Sequence, residues 1–95
     1  MRLVKIVRSA KSAKKYDAHF ITDANRTKIV SFGSAGMDDY TITKDKEQQR
    51  RYLARHLANE DWSSPMSAGA LSRYVLWSST TVRGGIANYK RRFRL

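Results

Sequence analysis

The sequence predicts an α+β domain: a small antiparallel sheet of about three strands, followed by three helices packed on one of its faces. Two periodicities carry this reading. The first third holds runs of alternating apolar and polar residues bounded by turn formers. The later part repeats its apolar residues every three or four positions. Ninety-five residues suit a single domain (1–95), mainly β over 1–43 and mainly helical over 44–95, with a modest core.

Leu3 to Val7 is rich in β-branched residues and reads as the first strand. Ser9 to Ala13 is a small, polar connection. From Lys15 to Ile21 the period is two: Tyr16, Ala18 and Phe20 face one way, Asp17, His19 and Ile21 the other. Thr22 to Arg26 holds Asp and Asn, the chemistry of a hairpin loop. Thr27 to Phe32 returns as the third strand. Gly33 and Gly36 then mark tight backbone in a loop reaching Tyr40. That loop lacks the Lys-Ser/Thr ending of a phosphate loop, and Asp38 and Asp39 would repel phosphate. Tyr40 to Thr43 is read as a short added strand.

The first helix starts at Asp45, a cap with Gln48 as its capping-box partner. Tyr52, Leu53, His56 and Leu57 form its buried stripe, and Asn59 ends it. Glu47 supports Arg51 four residues on, whereas Arg51 and Arg55 are a mildly unfavourable pair. The second helix lies within Trp62–Trp77. Ser64 before Pro65, or Ser67 before Gly69, could cap it. Ala70, Leu71, Tyr74, Val75 and Trp77 cover an arc of about 160°, wide enough to face a core. Trp62, Tyr74 and Trp77 are expected to pack against the sheet through Phe20 and Phe32. Stacking of bases on the tryptophans is the sharper alternative. Leu76 falls outside the arc, so either the helix is buried almost all round or Leu76 meets a partner; contact with a neighbouring chain or the last helix is expected. Thr80 or Thr81 caps that last helix, whose apolar stripe is Val82, Ile86, Tyr89 and Phe93. Gly84 and Gly85 weaken its first turn by about 1 kcal/mol each.

Charge is the strongest compositional signal. Nineteen basic residues against eight acidic ones leave +11, above the roughly 2–8 usual for a small soluble domain. Residues 63–95 hold six cations and no acid. Such a balance favours a polyanion: nucleic acid, anionic lipid or an acidic protein surface. Arg83, Lys90, Arg91 and Arg94 share one flank of the last helix, spanning about 100°, and can hold phosphates without reading bases. The helix dipole alone would favour Lys90 to Arg94 at a C-terminus, but not Arg83.

The inventory for catalysis is thin: two histidines, eight carboxylates and no cysteine. His56 and Glu60 stand at i and i+4 without a second helical histidine, so no zinc motif forms, and His56 reads as a hydrogen-bonded core histidine. Ser72 lacks a nucleophile elbow. No catalytic residue, metal or cofactor is assigned, and the expectation is a non-enzyme. No stretch is long and apolar enough for a membrane span or a signal peptide, and the absence of cysteine fits an intracellular setting.

One set of residues occurs together: Phe32-Gly33, Gly36, Asp39-Tyr40-Thr41, Lys44-Asp45, Arg50 or Arg51 with Tyr52, Arg55-His56, Glu60-Asp61-Trp62, Pro65, Ala68-Gly69, Leu71-Ser72-Arg73, Leu76-Trp77, and the ending from Tyr89 to Phe93. The set resembles a small, largely uncharacterised protein family of large DNA viruses of algae and amoebae, with some protist relatives. It covers about residues 14–95, on the order of one domain, and leaves the first dozen unplaced. The resemblance brings no catalytic residues. It implies a viral context, in the virion or the host-cell cytoplasm. The expected function is a non-enzymatic, virion-associated structural protein that docks on other assembly proteins and contacts DNA or an acidic surface. The alternative is a sequence-nonspecific accessory protein that binds DNA or RNA through phosphate contacts.

Overall fold

The computed structural model describes residues 1–95. Three strands form an antiparallel meander in the order β1-β2-β3: β1 (Arg2–Arg8), β2 (Lys14–Ile21) and β3 (Thr27–Ser34). Tyr16 faces Phe32 and Ala18 faces Val30 across β2 and β3, while Ile6 faces Ala18 across β1 and β2. The predicted alternation therefore holds, with Ala18, Phe20 and Phe32 fully buried on the helix side. A register shift between Leu3 and Lys5 displaces Val4 from the ladder. Asn25, at φ 60°, closes the β2–β3 hairpin.

Asp17 is buried on the other side of the sheet, where the Ser9 and Ser31 hydroxyls each donate to it at 2.6 Å and the Ala10 amide at 3.2 Å. These bonds, Ser31 first and Ser9 next, hold its carboxyl below the usual carboxylate range. A depressed folded value means that the stabilisation is present above the unfolded value, about 3.9, and is lost as pH falls through the folded one. Asp17→Asn should therefore lose less stability on acidification from pH 5 to pH 2. Denaturant melts across that range check this, and acid limbs that coincide with wild type would exclude the role.

Tyr40–Thr43 is a single helical turn, α1, and not the short strand the sequence suggested. The reason lies at Asp39, whose carboxylate accepts from the Thr41 amide at 2.9 Å and so caps a helix start. Lys44, left-handed at φ 54°, ends the turn. Helix α2 (Lys46–Leu57) begins at Asp45, which accepts from the Glu47 and Gln48 amides. Gln48 does not return the capping-box bond; its side chain takes the Thr43 hydroxyl instead, at 2.6 Å. Tyr52 is buried, but Leu57 is 66% exposed, so the buried stripe stops a turn early. Helix α4 (Val82–Phe93) starts at Thr81, whose hydroxyl accepts from Gly84, and buries Tyr89, whose hydroxyl donates to the Pro65 carbonyl at 2.6 Å.

The second predicted helix takes the later start. Ser67 caps α3 (Ala68–Leu71), which continues as a π-helical turn, Ser72–Leu76. That turn accounts for the place of Leu76. A π turn bonds i to i+5 and rotates each residue through less than the roughly 100° of an α-helix. Leu76 thereby swings back toward Leu71 and Val75 and is only 2% exposed, as part of the core. It closely approaches β3: a Cβ on Gly33 would lie 2.8 Å from Leu76 Cδ1. Gly33 also sits at φ 76°, so its lack of a side chain serves both the backbone and the close approach.

Trp62 departs from its predicted place. It is half-buried and lies outside the core cluster. Its indole N–H donates to Glu60 at 2.9 Å, and the Arg73 guanidinium lies over its ring, 5.3 Å from the centroid. Tyr74 is also half-buried, packed against the core and edge-on to Phe93 at 5.6 Å. Trp77 is buried and stacks on Tyr52, with centroids 4.0 Å apart and planes within 5°. That stack, with the Gln49 amide donating to the Trp77 carbonyl at 2.9 Å, ties α2 to the end of the π turn.

Candidate functional site

The principal concavity is a cleft of about 710 Å³ where the ends of β2 and β3 and the loop after β3 face α2, α3 and the π turn. Gly33 and Gly36, both at positive φ, turn the chain along one wall. The other wall is α2, and its helical period puts Arg51, Arg55 and His56 on this side. Lys14 and Lys15 enter from β2. A second, smaller concavity adjoins it, sharing Lys14 and Lys15 and adding Arg8 and Lys11.

The electrostatics are one-sided because the carboxylates are consumed within the chain. Asp39 holds Lys15 in a buried ion pair at 2.6 Å. Asp23 takes the N-terminus, Asp45 caps α2, and Asp61 accepts from Ser63. Glu47 pairs mainly with Arg50, whose guanidinium holds its carboxyl below the usual range. Arg51 is 3.8 Å from the same carboxylate, with its side chain 56% exposed, so its charge stays largely available. Asp38, at the cleft, is the one carboxylate without a partner. Of nineteen basic residues only Lys15, Arg50 and Arg51 come within ion-pair distance of a carboxylate. Lys14 and Arg55 therefore line the cleft without an ion-pair partner, as does Asp38 with the opposite charge.

Glu60 organises the cleft's aromatic end. One oxygen accepts from His56 Nδ1 at 2.9 Å and the other from the Trp62 indole. Gly69 leaves room for it: a Cβ there would lie 3.2 Å from the carboxylate. An ionised carboxylate only accepts, so Nδ1 carries the proton and Nε2 is directed elsewhere. The His56 ring also stacks on Tyr52, with centroids 4.1 Å apart. His56 is thus hydrogen-bonded, as expected, but half-buried at a cleft wall and not in the core. Burial, followed by the charge of Glu60, pushes the Tyr52 hydroxyl up to about 12, so that ring stays neutral at physiological pH. No three His, Asp or Glu side chains come close enough together to hold a metal ion.

The cations predicted on the last helix lie elsewhere. Arg83, Lys90, Arg91 and Arg94 are all exposed, none meets a carboxylate, and none lines the cleft. Arg83 and Lys90 remain two turns apart on one row of α4. Arg91 donates to Asn88 at 2.9 Å, and Arg94 has left the helix, left-handed at φ 57°. Sequence reasoning missed Lys14 and Arg55. The available signal was the like-charged Arg51/Arg55 pair, in which Arg51 has only the distant, shared Glu47 and Arg55 has no carboxylate partner. An anion bound at that wall would turn it to use.

The model of a family of unknown function (DUF5754) matches residues 4–56, more than half of the chain. The chain belongs to this family. The DUF5754 match runs from β1 to the last turn of α2 and includes Lys14, Arg51, Arg55 and His56, whereas Glu60, Trp62 and the π turn lie beyond it. Searches of curated proteins and of solved structures find no match.

Proposed function

We propose that this protein is a non-enzymatic nucleic-acid-binding protein that holds phosphates in the cleft without reading sequence. The observation that carries the reading is the cleft's charge: Lys14, Arg51 and Arg55 line one concavity while seven of the chain's eight carboxylates are engaged internally. Phosphate contacts of this kind position a strand and carry no base code. The row of Arg83 and Lys90 on α4, outside the cleft, is a second place where phosphates could be held, as the charge pattern of the sequence suggests. No helix is long and apolar enough to cross a membrane.

One observation also favours a protein partner. On the sheet, Val4 and Val7 of β1 and Ile29 of β3 are exposed, Val4 and Ile29 at 51% and 53%. In the viral setting implied by the resemblance, that surface would seat the protein in a virion-associated assembly while the cleft meets the nucleic acid.

The test is affinity for an oligonucleotide against salt. Removing one cation that holds a phosphate should lower the log–log slope by about 0.7 on a single strand or 0.9 on a duplex. Lys14→Ala/Arg55→Ala should therefore lower the single-strand slope by about 1.4, and Arg83→Ala/Lys90→Ala should lower it similarly if α4 also holds phosphates. Unchanged slopes in both variants would contradict phosphate binding and make an acidic protein the better partner.

A further inference from the structure

His56, Tyr52 and Trp77 form a continuous three-ring stack with Tyr52 in the middle, centroids 4.1 and 4.0 Å apart. Trp77 ends the stack in the core, and His56 ends it in the cleft. Tyr52 covers one face of the imidazole, and the His56 side chain, 30% exposed, opens on the cleft. The ring cannot swing freely, because Glu60 holds Nδ1 and is itself held by the Trp62 indole. The cleft therefore offers a fixed flat ring beside the cations Lys14, Arg51 and Arg55.

We infer that the cleft takes single-stranded nucleic acid, with one unpaired base extending the stack on His56 and the flanking phosphates on Lys14, Arg51 and Arg55. This rests on the phosphate-binding reading above and adds which form of nucleic acid is bound and how. A base inside a duplex has both faces covered by its neighbours and cannot join a protein stack, whereas a single strand offers every base its face. The cleft's volume falls in the roughly 300–1,000 Å³ range of sites for small ligands, which suits one or two nucleotides rather than the width of a duplex. Stacking on a ring is indifferent to base identity, in keeping with a site that shows no base-reading motif. His56 Nε2, free of any partner in the chain, can in addition meet a base edge or a phosphate oxygen.

The experiment uses the wild-type protein and two short oligothymidylates of equal length, one intact and one made entirely of abasic sites, so that phosphate number is constant. The intact strand should bind about tenfold more tightly, the scale of one base–aromatic stack. His56→Ala should remove that difference, and His56→Phe, which keeps a flat ring, should restore it. Equal binding of both strands by the wild-type protein would overturn the stacking inference while leaving phosphate binding intact. Failure of both to bind would overturn the phosphate reading itself, and this proposal with it. A preference for a blunt duplex of the same phosphate count would likewise exclude the single-strand assignment.

Discussion

Gly85→Ala should destabilise the protein by about 3 kcal/mol or more, at or above the top of the usual range for overpacking. By helix propensity alone alanine would gain about 1 kcal/mol there. Contact decides the sign. Gly85 is buried on α4, and an added Cβ would fall 2.7 Å from the Val75 carbonyl carbon and 2.8 Å from its Cα, and closer still to its oxygen. The obstacle is backbone of the π turn, which cannot rotate away as a side chain can. α4 would have to lift from the π turn, withdrawing Tyr89 from the core and from the Pro65 carbonyl. Gly84→Ala is the comparison, since the atoms nearest a Cβ there belong to the side chains of Ser79 and Thr81, and the closest, the Ser79 hydroxyl, can rotate away. Thermal or denaturant melts should rank Gly85→Ala well below Gly84→Ala, and equal destabilisation would show that α4 and the π turn are less closely apposed.

Trp77→Ala should cost about 3–5 kcal/mol, the range for truncating a large buried aromatic. The loss combines burial with the parallel stack on Tyr52. It should also reach the cleft, because Tyr52 and Gln49 are the points at which α2 is tied to the π turn. A variant that still folds should therefore bind nucleic acid more weakly, although Trp77 contributes no charge. Unchanged melting would mean that the stack contributes little to stability.

How far the sequence disclosed this molecule follows from what each signal depends on. Strands were legible because one face of the sheet packs on the helices, so the alternation at Ala18 and Phe20 records burial there, with Tyr16 half-buried. Caps at Asp45 and Thr81 were legible because capping is local chemistry. Tyr40–Thr43 was misread because its β-branched composition competes with a cap, and the cap prevailed. Leu76 falls outside the wheel's apolar arc yet lies in the core because a helical wheel assumes one turn width, and the π turn violates that assumption. Trp62 was misplaced because its size suggests core, whereas the indole N–H and the Arg73 charge hold it at a half-exposed position. The cleft was the least legible part. It joins β2, the loop after β3 and α2, which are separated in the chain, and no spacing rule links Lys14 to Arg55. The His56–Glu60 spacing was visible, but its purpose depends on Tyr52 beneath the ring and Trp62 behind the carboxylate.

The most direct test of the cleft as the binding site is a map of backbone amide NMR shifts as a short single-stranded oligothymidylate is added to the full chain. Changes should concentrate at Lys14 and Lys15, at Gly33 to Asp38 and on α2 from Arg51 to His56, with Glu60 and Ser72 following. Changes confined to α4 around Arg83 to Arg94, or to the exposed sheet residues Val4, Val7 and Ile29, would contradict the account.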